Sequence, residues 1–301
     1  MSCPSLRQIE YLLAVVEHGS ISDAAHALHT AQPTLSQQLK ALEKTVGTPL
    51  LERTARGARL TPAGRAFLPG ARRALAGAER ATGAARAVAG MAHGRLHLAS
   101  VLSVALGVVP SVLTAWRAAH PLVDVELYEY ADLESFTAAI TDGTADVAIG
   151  PLPEGWEGPS HALGAEEFVV IAPPADPLAG CDRVRLAELA DRRWVHYGHT
   201  HGLADLVDQL CAEAGFTPNA AIRSMQTAAL PYLVAAGLGV AIVPANILTP
   251  DFPGTLLRLN PPHLRDLSAF ARPAPHPVIT EFLDIAQGSA RLLPEHLAIS
   301  W

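Results

Sequence analysis

One predicted helix carries side chains of the kinds that contact DNA. It is the second of two short helices in SISDAAHALHTAQPTLSQQLKALEKTVG, the segment from Ser20 to Gly47. Glutamine can bond adenine through two hydrogen bonds, hydroxyls bond phosphates or bases, and lysine bonds phosphate. The candidate DNA contacts of this segment are Gln32, Pro33, Thr34, Ser36, Gln37, Gln38 and Lys40. The alternative is a solvated helix in an ordinary helical domain.

Three helices are expected to hold this surface in place. Ser20 can cap the first helix of the pair, with Asp23 in the capping-box position, and Gly47 supplies the end of the second. The predicted buried stripe of the second helix is Leu35, Leu39, Leu42 and Val46. A preceding helix capped by Ser5 is expected to cover the pair, and its predicted apolar face is Leu6, Ile9, Leu13 and Val16.

The segment after this helix is predicted to form a basic hairpin. Leu50, Leu51 and Leu60 bracket a turn at Gly57, which is typical of two short paired strands. The hairpin carries Arg53, Arg56 and Arg59. Three arginines beside a reading helix favour a wing that holds DNA phosphates, while the alternative is an exposed basic loop.

The charge distribution supports a DNA-facing N-terminal part. Residues 1–93 hold 11 Lys and Arg against 6 Asp and Glu, a balance of +5, and residues 94–301 hold 11 against 23, a balance of −12. The 301 residues are enough for two or three domains. The pattern predicts no secretory signal and no membrane span, and three cysteines at unrelated spacings argue against a disulfide framework. We expect a cytoplasmic protein.

An alanine-rich helix is predicted to follow the hairpin. Thr61 and Pro62 form a helix start, and the helical pattern continues to about Ala89. A seam with alternating steps of four and three residues runs through Phe67, Ala71, Ala74, Ala78, Ala81, Ala85 and Val88. This heptad pattern predicts pairing with a second copy of the chain, and the alternative is packing within the same domain. Pro69 predicts a kink.

Beyond Arg95 the sequence alternates between short apolar strands and amphipathic helices. Predicted strands are 96–100, 123–128, 147–149, 168–172, 194–197, 220–223, 240–243 and 267–271, and predicted helices are near 107–119, 133–141, 203–214, 227–236 and 277–293. The alternation predicts an α/β fold with a mainly parallel sheet in two subdomains. Ligands of such folds sit beyond the carboxyl ends of strands and near helix N-termini.

The whole chain resembles the LysR-type transcriptional regulators. The first 64 residues carry the specific motifs, which are Ala24-Ala25, Leu28, Gln32-Pro33, Leu35-Ser36, Leu42-Glu43, Gly47, Leu50-Leu51, Glu52-Arg53, Leu60-Thr61 and Gly64. Looser similarity continues in HPLVDVELYE, TADVAIG, FVVIAPPADPL and LVAAGLGVAIVP. Two positions depart from the family pattern. Ala31 replaces a common Ser, so we expect Thr30 to cap the helix, and Gln37-Gln38 replaces a frequent Arg, which favours adenine over guanine.

The resemblance implies the domain organisation and the partners. The implied domains are a winged helix-turn-helix over 1–61, a linker and dimerisation helix over 62–91, and a periplasmic-binding-protein-like (type 2) effector domain over 92–301. In the effector domain, one α/β subdomain would take about 92–163 and 268–301, and the other about 164–267. The implied partners are double-stranded promoter DNA, a small-molecule effector, RNA polymerase, and further copies of the chain in a homodimer or dimer of dimers.

The implied effector site lies in a cleft between the two subdomains. Transferred to this chain, its residues are Ser100, Leu102, Ser103, Asp132, Gly150, Pro151, His196, His199, Thr200, Gln226 and Thr227. Backbone amides at helix N-termini beside hydroxyls suit a carboxylate, so a small organic acid is the hypothesis. Pro151, where some aromatic-acid sensors have Arg, and the negative charge of Asp132 both count against a strongly anionic ligand.

The residues also bear on other possible functions. The HYGHTH histidines have metal-binding chemistry, but their loop lacks a carboxylate or cysteine, so we predict no metal and no cofactor. Cys181 and Cys211 would be the pair for a thiol switch, although a buried, inert thiol is the commoner outcome for Cys211. An enzyme is disfavoured because no catalytic motif occurs. A transport-type binding protein would need an export signal.

Overall fold

The structure is a computed structural model that describes residues 3–54, 57–88 and 94–293. The chain divides into a smaller N-terminal unit and a larger C-terminal unit. Among the described residues, no helix has both the length and the hydropathy required to cross a bilayer.

Three helices form the body of the N-terminal unit: α1 (Leu6–His18), α2 (Ile21–Ala27) and α3 (Gln32–Val46). A capping box starts α1, in which Ser5 accepts from the Gln8 backbone N–H and the Gln8 side chain accepts from the Ser5 N–H. Ser20 caps α2 by accepting from the Asp23 N–H. Glycines with positive φ end α1 and α3, at Gly19 (φ 70°) and Gly47 (φ 85°).

The core of this unit confirms the stripe of α3 but corrects that of α1. Leu35, Leu39 and Leu42 are buried, as predicted. On α1, Leu12 and Val15 are fully buried, whereas Leu13 and Val16 are half-buried and Leu6 is exposed. Positions 12, 13, 15 and 16 are all apolar, so the sequence pattern does not determine which of them face the core. Packing of α1 against α2 and α3 decides which side chains are buried.

The hairpin consists of β1 (Leu51–Thr54) and β2 (Gly57–Leu60), which pair antiparallel. The carboxylate of Glu43 on α3 accepts from the backbone N–H of Leu50 (2.8 Å) and Leu51 (3.1 Å). On the other strand, the Ala58 N–H donates to Gly19 O at 2.9 Å. The hairpin is therefore bonded to α3 at one strand and to the turn after α1 at the other.

The long helix α4 (Pro62–Val88) is capped by Thr61, whose hydroxyl accepts from the Gly64 N–H at 3.0 Å. It continues through Pro69, which is exposed. Phe67, a residue of the predicted pairing seam, packs against the core formed by α1, α2 and α3. Its aromatic ring therefore stabilises its own unit.

The C-terminal unit is an α/β structure of nine strands and six helices within the described residues. Its strands are β3 (Gly94–Val101), β4 (Val123–Tyr130), β5 (Val147–Gly150), β6 (Ser160–Ala172), β7 (Arg183–Val184), β8 (Arg193–Tyr197), β9 (Asn219–Ser224), β10 (Ala241–Pro244) and β11 (Thr255–Ala271). Its helices are α5 (Leu102–Gly107), α6 (Val109–Ala119), α7 (Leu133–Thr141), α8 (Gly202–Glu213), α9 (Ala229–Ala235) and α10 (Pro277–Ser289).

The main sheet is mixed rather than mainly parallel, which corrects the prediction. Strand order is β10-β6-β11-β5-β3-β4, with β7 beside β11. Strands β3, β4 and β5 are parallel, but β11 is antiparallel to β5 and β6, and β10 is antiparallel to β6. The sequence pattern located 168–172 of β6 and 267–271 of β11 and missed the rest, because the polar stretches 160–167 and 260–266 lack the hydrophobic signal.

Two hydrophobic cores lie along these long strands. One surrounds β8, α8 and β10, and the other surrounds β3, α6, α7 and α10. Strands β6 and β11 contribute one end to each core. Their pairing has two register shifts, one between Arg258 and His263 and one between Leu267 and Ser268. Side chains near the middle of these strands therefore lie between the two cores.

Candidate DNA surface and effector cleft

Most of the polar residues predicted on α3 lie on its exposed face. Gln32, Pro33, Thr34, Gln37 and Lys40 are exposed, while Ser36 and Gln38 are half-buried. Gln37 and Lys40 lie on the side opposite the buried leucines, since successive helical residues are about 100° apart. Lys44 is exposed one turn beyond Lys40, and the sequence analysis missed it although the same spacing could have found it.

The start of α3 differs from expectation. Its N-cap residue is Ala31, and no side chain accepts a hydrogen bond from the first helical turn. Thr30 therefore does not cap the helix. Pro33 lies in the first turn, where backbone N–H groups have no acceptor within the helix. Proline has no N–H, so one unpaired donor is avoided there.

Gln38 is bonded to α1. Its Oε1 accepts from Nε2 of Gln8 at 3.3 Å. Gln8 is the capping-box residue of α1, and its own Oε1 accepts from the Ser5 N–H at 3.1 Å. The exposed Gln37, one residue earlier, has no such neighbour in the hydrogen bonds of the described residues.

Of the three hairpin arginines, Arg59 is exposed on β2 and pairs in register with Glu52. The structure describes the backbone of Arg53 on β1 but not its side chain, and Arg56 lies outside the described residues. On α4, Ala74 and Ala81 are exposed, Ala78 is half-buried and Ala71 is buried. The side chains of Ala85 and Val88 lie outside the described part of the chain.

A small cleft opens between the two halves of the C-terminal unit. It is lined by Val101, Leu102, Ser103, Tyr130, Ala131, Asp132, Leu133, His201, Gly202, Leu203 and Arg265. The start of α5 and the end of β4 form one wall, and the start of α8 forms the other. The walls are bridged where the Gly202 N–H donates to Ala131 O at 2.6 Å.

Three of the predicted effector residues line this cleft: Leu102, Ser103 and Asp132. Ser103 is buried at the start of α5. Asp132 caps α7 by accepting from the Ser135 N–H at 2.7 Å. This hydrogen bond occupies one oxygen of the carboxylate.

The other predicted effector residues do not line the cleft. Ser100 donates to Ile149 O at 2.8 Å within the sheet, and Gly150 lies against the Phe136 ring. Thr227 is buried behind the cleft, and the remaining members are placed elsewhere on the C-terminal unit: Pro151 (half-buried), His196 (buried), His199, Thr200 and Gln226 (exposed).

The buried histidines of this region have separate partners. His201 caps α8 by accepting from the Leu203 N–H at Nδ1 (3.1 Å), and its Nε2 lies 2.9 Å from the Thr227 hydroxyl. His196 Nδ1 lies 2.9 Å from Arg223 Nη1, and its Nε2 lies 3.2 Å from Asp208. Burial lowers the pKa of both imidazoles. Their ring nitrogens therefore face different neighbours rather than one metal position.

Arg265 is a charged cleft residue that the sequence analysis missed. Its Nε donates to Glu166 Oε1 at 2.6 Å, and its Nη2 lies 3.5 Å from the Ser103 hydroxyl. Asn246 donates to the second oxygen of Glu166 at 2.8 Å. Burial raises the pKa of the Glu166 carboxyl, and the charge of Arg265 opposes that rise. Arg265 lies in the polar half of β11, where no strand was predicted.

Comparison with known families covers both units. A family model described as "Bacterial regulatory helix-turn-helix protein, lysR family" matches residues 6–65, and one described as "LysR substrate binding domain" matches residues 89–291. The chain belongs to the LysR family. It is a DNA-binding transcriptional regulator with an effector-binding domain, and the predicted fold class is confirmed.

Similar LysR proteins include regulators with different named roles. A "Probable hydrogen peroxide-inducible genes activator" of Streptomyces viridosporus is 33% identical over 246 residues, covering 80% of this chain and 78% of that protein. A "RuBisCO operon transcriptional regulator" of Allochromatium vinosum is 29% identical over 240 residues, covering 79% of each. Full-length CbnR complexed with its target DNA matches with a TM-score of 0.71 at 27% identity, covering 95% of this chain and all of that one.

The cysteines of this LysR protein have contrasting environments. Cys3 and Cys181 are exposed, and Cys211 is fully buried on α8 among the residues of one core. Burial, assisted by the charge of Asp208, raises the pKa of the Cys211 thiol to about 12. Because the thiolate is the reactive form, Cys211 is a poor nucleophile at neutral pH.

Proposed function

We propose that this regulator reads promoter DNA with α3 and the β1–β2 hairpin, and that a small carboxylate-bearing effector in the cleft controls it, without a catalytic step. We place its action in the cytoplasm, with RNA polymerase as the downstream partner. The observation that carries the effector class is Arg265, a cationic side chain in the cleft beside the buried Ser103 hydroxyl. Glu166 and Ser103 take the Nε and Nη2 groups of this guanidinium, so Nη1 is the group that would donate a charge-assisted hydrogen bond to an effector carboxylate.

The DNA-reading role rests on the exposed face of α3. Gln37 can contact base edges, while Lys40, Lys44 and Arg59 can contact phosphates. Exposure of these side chains and the bonding of the hairpin to α3 through Glu43 support one continuous surface. CbnR, a similar regulator, was crystallised at full length in complex with its target DNA, which supports DNA binding by this chain.

Self-association belongs to the same proposal. The exposed alanines Ala74 and Ala81 on α4 leave room for close approach of a second helix. We therefore propose a homodimer or a dimer of dimers, in which effector binding shifts the population of arrangements and so alters promoter binding.

A peroxide-sensing thiol is the second candidate, since several relatives are named as peroxide-inducible gene activators. The burial and raised thiol pKa of Cys211 argue against it.

Fluorescence anisotropy across a salt series tests the DNA surface, with DNA upstream of the protein's own coding region against a scrambled duplex. Gln37→Ala should lose about 1–3 kcal/mol of binding free energy at particular base pairs. Lys44→Ala, the matched control on the same face, should weaken binding to all duplexes alike and reduce the slope of log affinity against log salt by about one. Equal losses on every duplex for both variants would contradict base reading by Gln37.

Thermal shift with benzoate, succinate and pyruvate tests the effector class, with benzamide as the uncharged control for benzoate. A binding acid at 100 times its Kd should stabilise the protein by about 2.7 kcal/mol. Ser103→Ala should reduce this shift, because the hydroxyl faces the cleft. Stabilisation by benzamide or by cations, and by no acid, would refute the carboxylate hypothesis.

A further inference from the structure

The hydrogen bond between Gln8 and Gln38 has a consequence for base recognition. In Gln8, the oxygen end of the amide is identified by its partner, because the Ser5 N–H can only donate and lies 3.1 Å from it. The other end is therefore the NH₂ group. It can only donate, so the atom of Gln38 that faces it at 3.3 Å must be the oxygen.

We propose that Gln8 fixes the amide of Gln38 with its NH₂ end directed away from α1, so that Gln38 offers DNA only donors and selects guanine. This inference rests on the proposed DNA-reading role of α3. Guanine presents two acceptors, O6 and N7, in the major groove. Adenine needs a donor and an acceptor together for a bidentate contact, and cytosine presents a donor. With its oxygen held by Gln8, the Gln38 amide turns its acceptor toward α1, and its NH₂ end is the one left to face the DNA.

The neighbouring Gln37 provides the contrast. It lies about 100° further round α3, on the side opposite the buried leucines, and is exposed. Its amide keeps both a donor and an acceptor for adenine. Two adjacent glutamines would thus read different bases, and the difference comes from a residue on another helix. Gln8 is a positioning residue in this scheme.

Substitution of Gln8 by Glu tests the orientation. Glu is a favoured residue at this capping-box position, so the Ser5 contact and α1 are retained. Its second oxygen can only accept, so it should bond the Gln38 NH₂ and turn the Gln38 oxygen toward the DNA. Guanine should then lose its advantage to adenine or cytosine, whose amino groups need an acceptor.

The measurement is selection of bound sequences from a duplex library with a randomised centre, followed by sequencing. The proteins are the full-length wild type, Gln8→Glu, Gln38→Ala and the double variant. Gln38→Ala identifies the base pair that depends on Gln38. At that pair we expect guanine with the wild type, and a shift of roughly fivefold or more toward adenine or cytosine with Gln8→Glu. The double variant should show no preference there, which separates amide orientation from the added charge.

An unchanged guanine preference in Gln8→Glu, or an adenine preference in the wild type, would overturn the inference. So would full retention of specificity by Gln38→Ala. If Gln37→Ala still loses specificity in that case, α3 reads DNA and only the role of Gln8 is wrong. Enrichment of no sequence by the wild type would refute the proposed DNA-reading function itself.

Discussion

The pairing of Arg265 with Glu166 places two opposite charges where water has little access. Glu166 is fully buried, and Asn246 and Arg265 occupy its two oxygens. The guanidinium also lies over the Phe168 ring at 5.3 Å. Such a pair adds little net stability, but removal of one member leaves the other as an uncompensated buried charge.

Arg265→Met should therefore lower the free energy of unfolding by about 3–5 kcal/mol at neutral pH. Arg265→Met combined with Glu166→Gln should recover most of the loss, because no buried charge remains and the amide can still accept from Asn246. Urea unfolding of the full chain measures both variants. A double variant as unstable as Arg265→Met alone would show that the unpaired charge is not the cause.

At the level of elements, two of the glycines of α4, Gly64 and Gly70, have different packing environments. A Cβ at Gly64 would lie 2.1 Å from Leu50 O and 2.8 Å from a methyl of Leu60, where the helix start meets the hairpin. A Cβ at Gly70 would meet only a terminal nitrogen of Arg73, at 3.7 Å. Gly64 is required by close packing, whereas Gly70 only lowers helix propensity.

Gly64→Ala should destabilise the N-terminal unit by about 1–3 kcal/mol through overpacking. Gly70→Ala, its control in the same helix, should stabilise by about 0.5–1 kcal/mol. The free energies of unfolding of the two variants are compared by denaturant unfolding, monitored by circular dichroism. Equal effects of the two substitutions would contradict the close approach at Gly64.

The histidine at the start of α8 makes the stability of the C-terminal unit depend on pH. Burial lowers the pKa of His201, and the charge of Arg265 adds to the lowering. An unfolded histidine titrates near pH ~6.5. Below that pH the unfolded chain binds a proton that folded His201 does not, so the free energy of unfolding falls as the pH drops from about 6.5.

His201→Asn should make this fall shallower, by up to about 1.4 kcal/mol per pH unit, because Asn can cap α8 without binding a proton. His276→Asn is the matched control, since His276 also caps a helix, α10, through Nδ1 but is exposed. Urea unfolding between pH 5 and 8 gives the slopes. If the free energy of unfolding of His201→Asn changes with pH as steeply as that of the wild type, His201 is not a source of the pH dependence.

At the scale of the whole molecule, the names of several similar proteins suggest peroxide sensing, whereas the chemistry of this chain does not. A similar protein is named as a probable hydrogen peroxide-inducible genes activator, but the buried thiol of Cys211 has a pKa of about 12. We expect hydrogen peroxide to leave DNA affinity unchanged in the wild type and in Cys211→Ser, measured by anisotropy before and after treatment. A peroxide response that Cys211→Ser or Cys181→Ser abolishes would contradict this.

The sequence was sufficient for the features that depend on local patterns. The caps at Ser5, Ser20 and Thr61 and the leucine stripe of α3 are encoded by residues a few positions apart. Strands such as β5 and helices such as α7 were predicted nearly at their bounds, because their apolar periodicity is strong. Motifs in the first 64 residues carried the family assignment.

Tertiary structure decided what depends on residues far apart in the chain. The polar halves of β6 and β11 are strands only because they pair with each other, and that pairing brings Arg265 to Glu166 and to the cleft. The bond from Gln8 to Gln38 likewise requires the crossing of α1 and α3. Local pattern records which face of an element is apolar, but partners 30 or 99 residues apart are chosen by packing, which no local pattern contains.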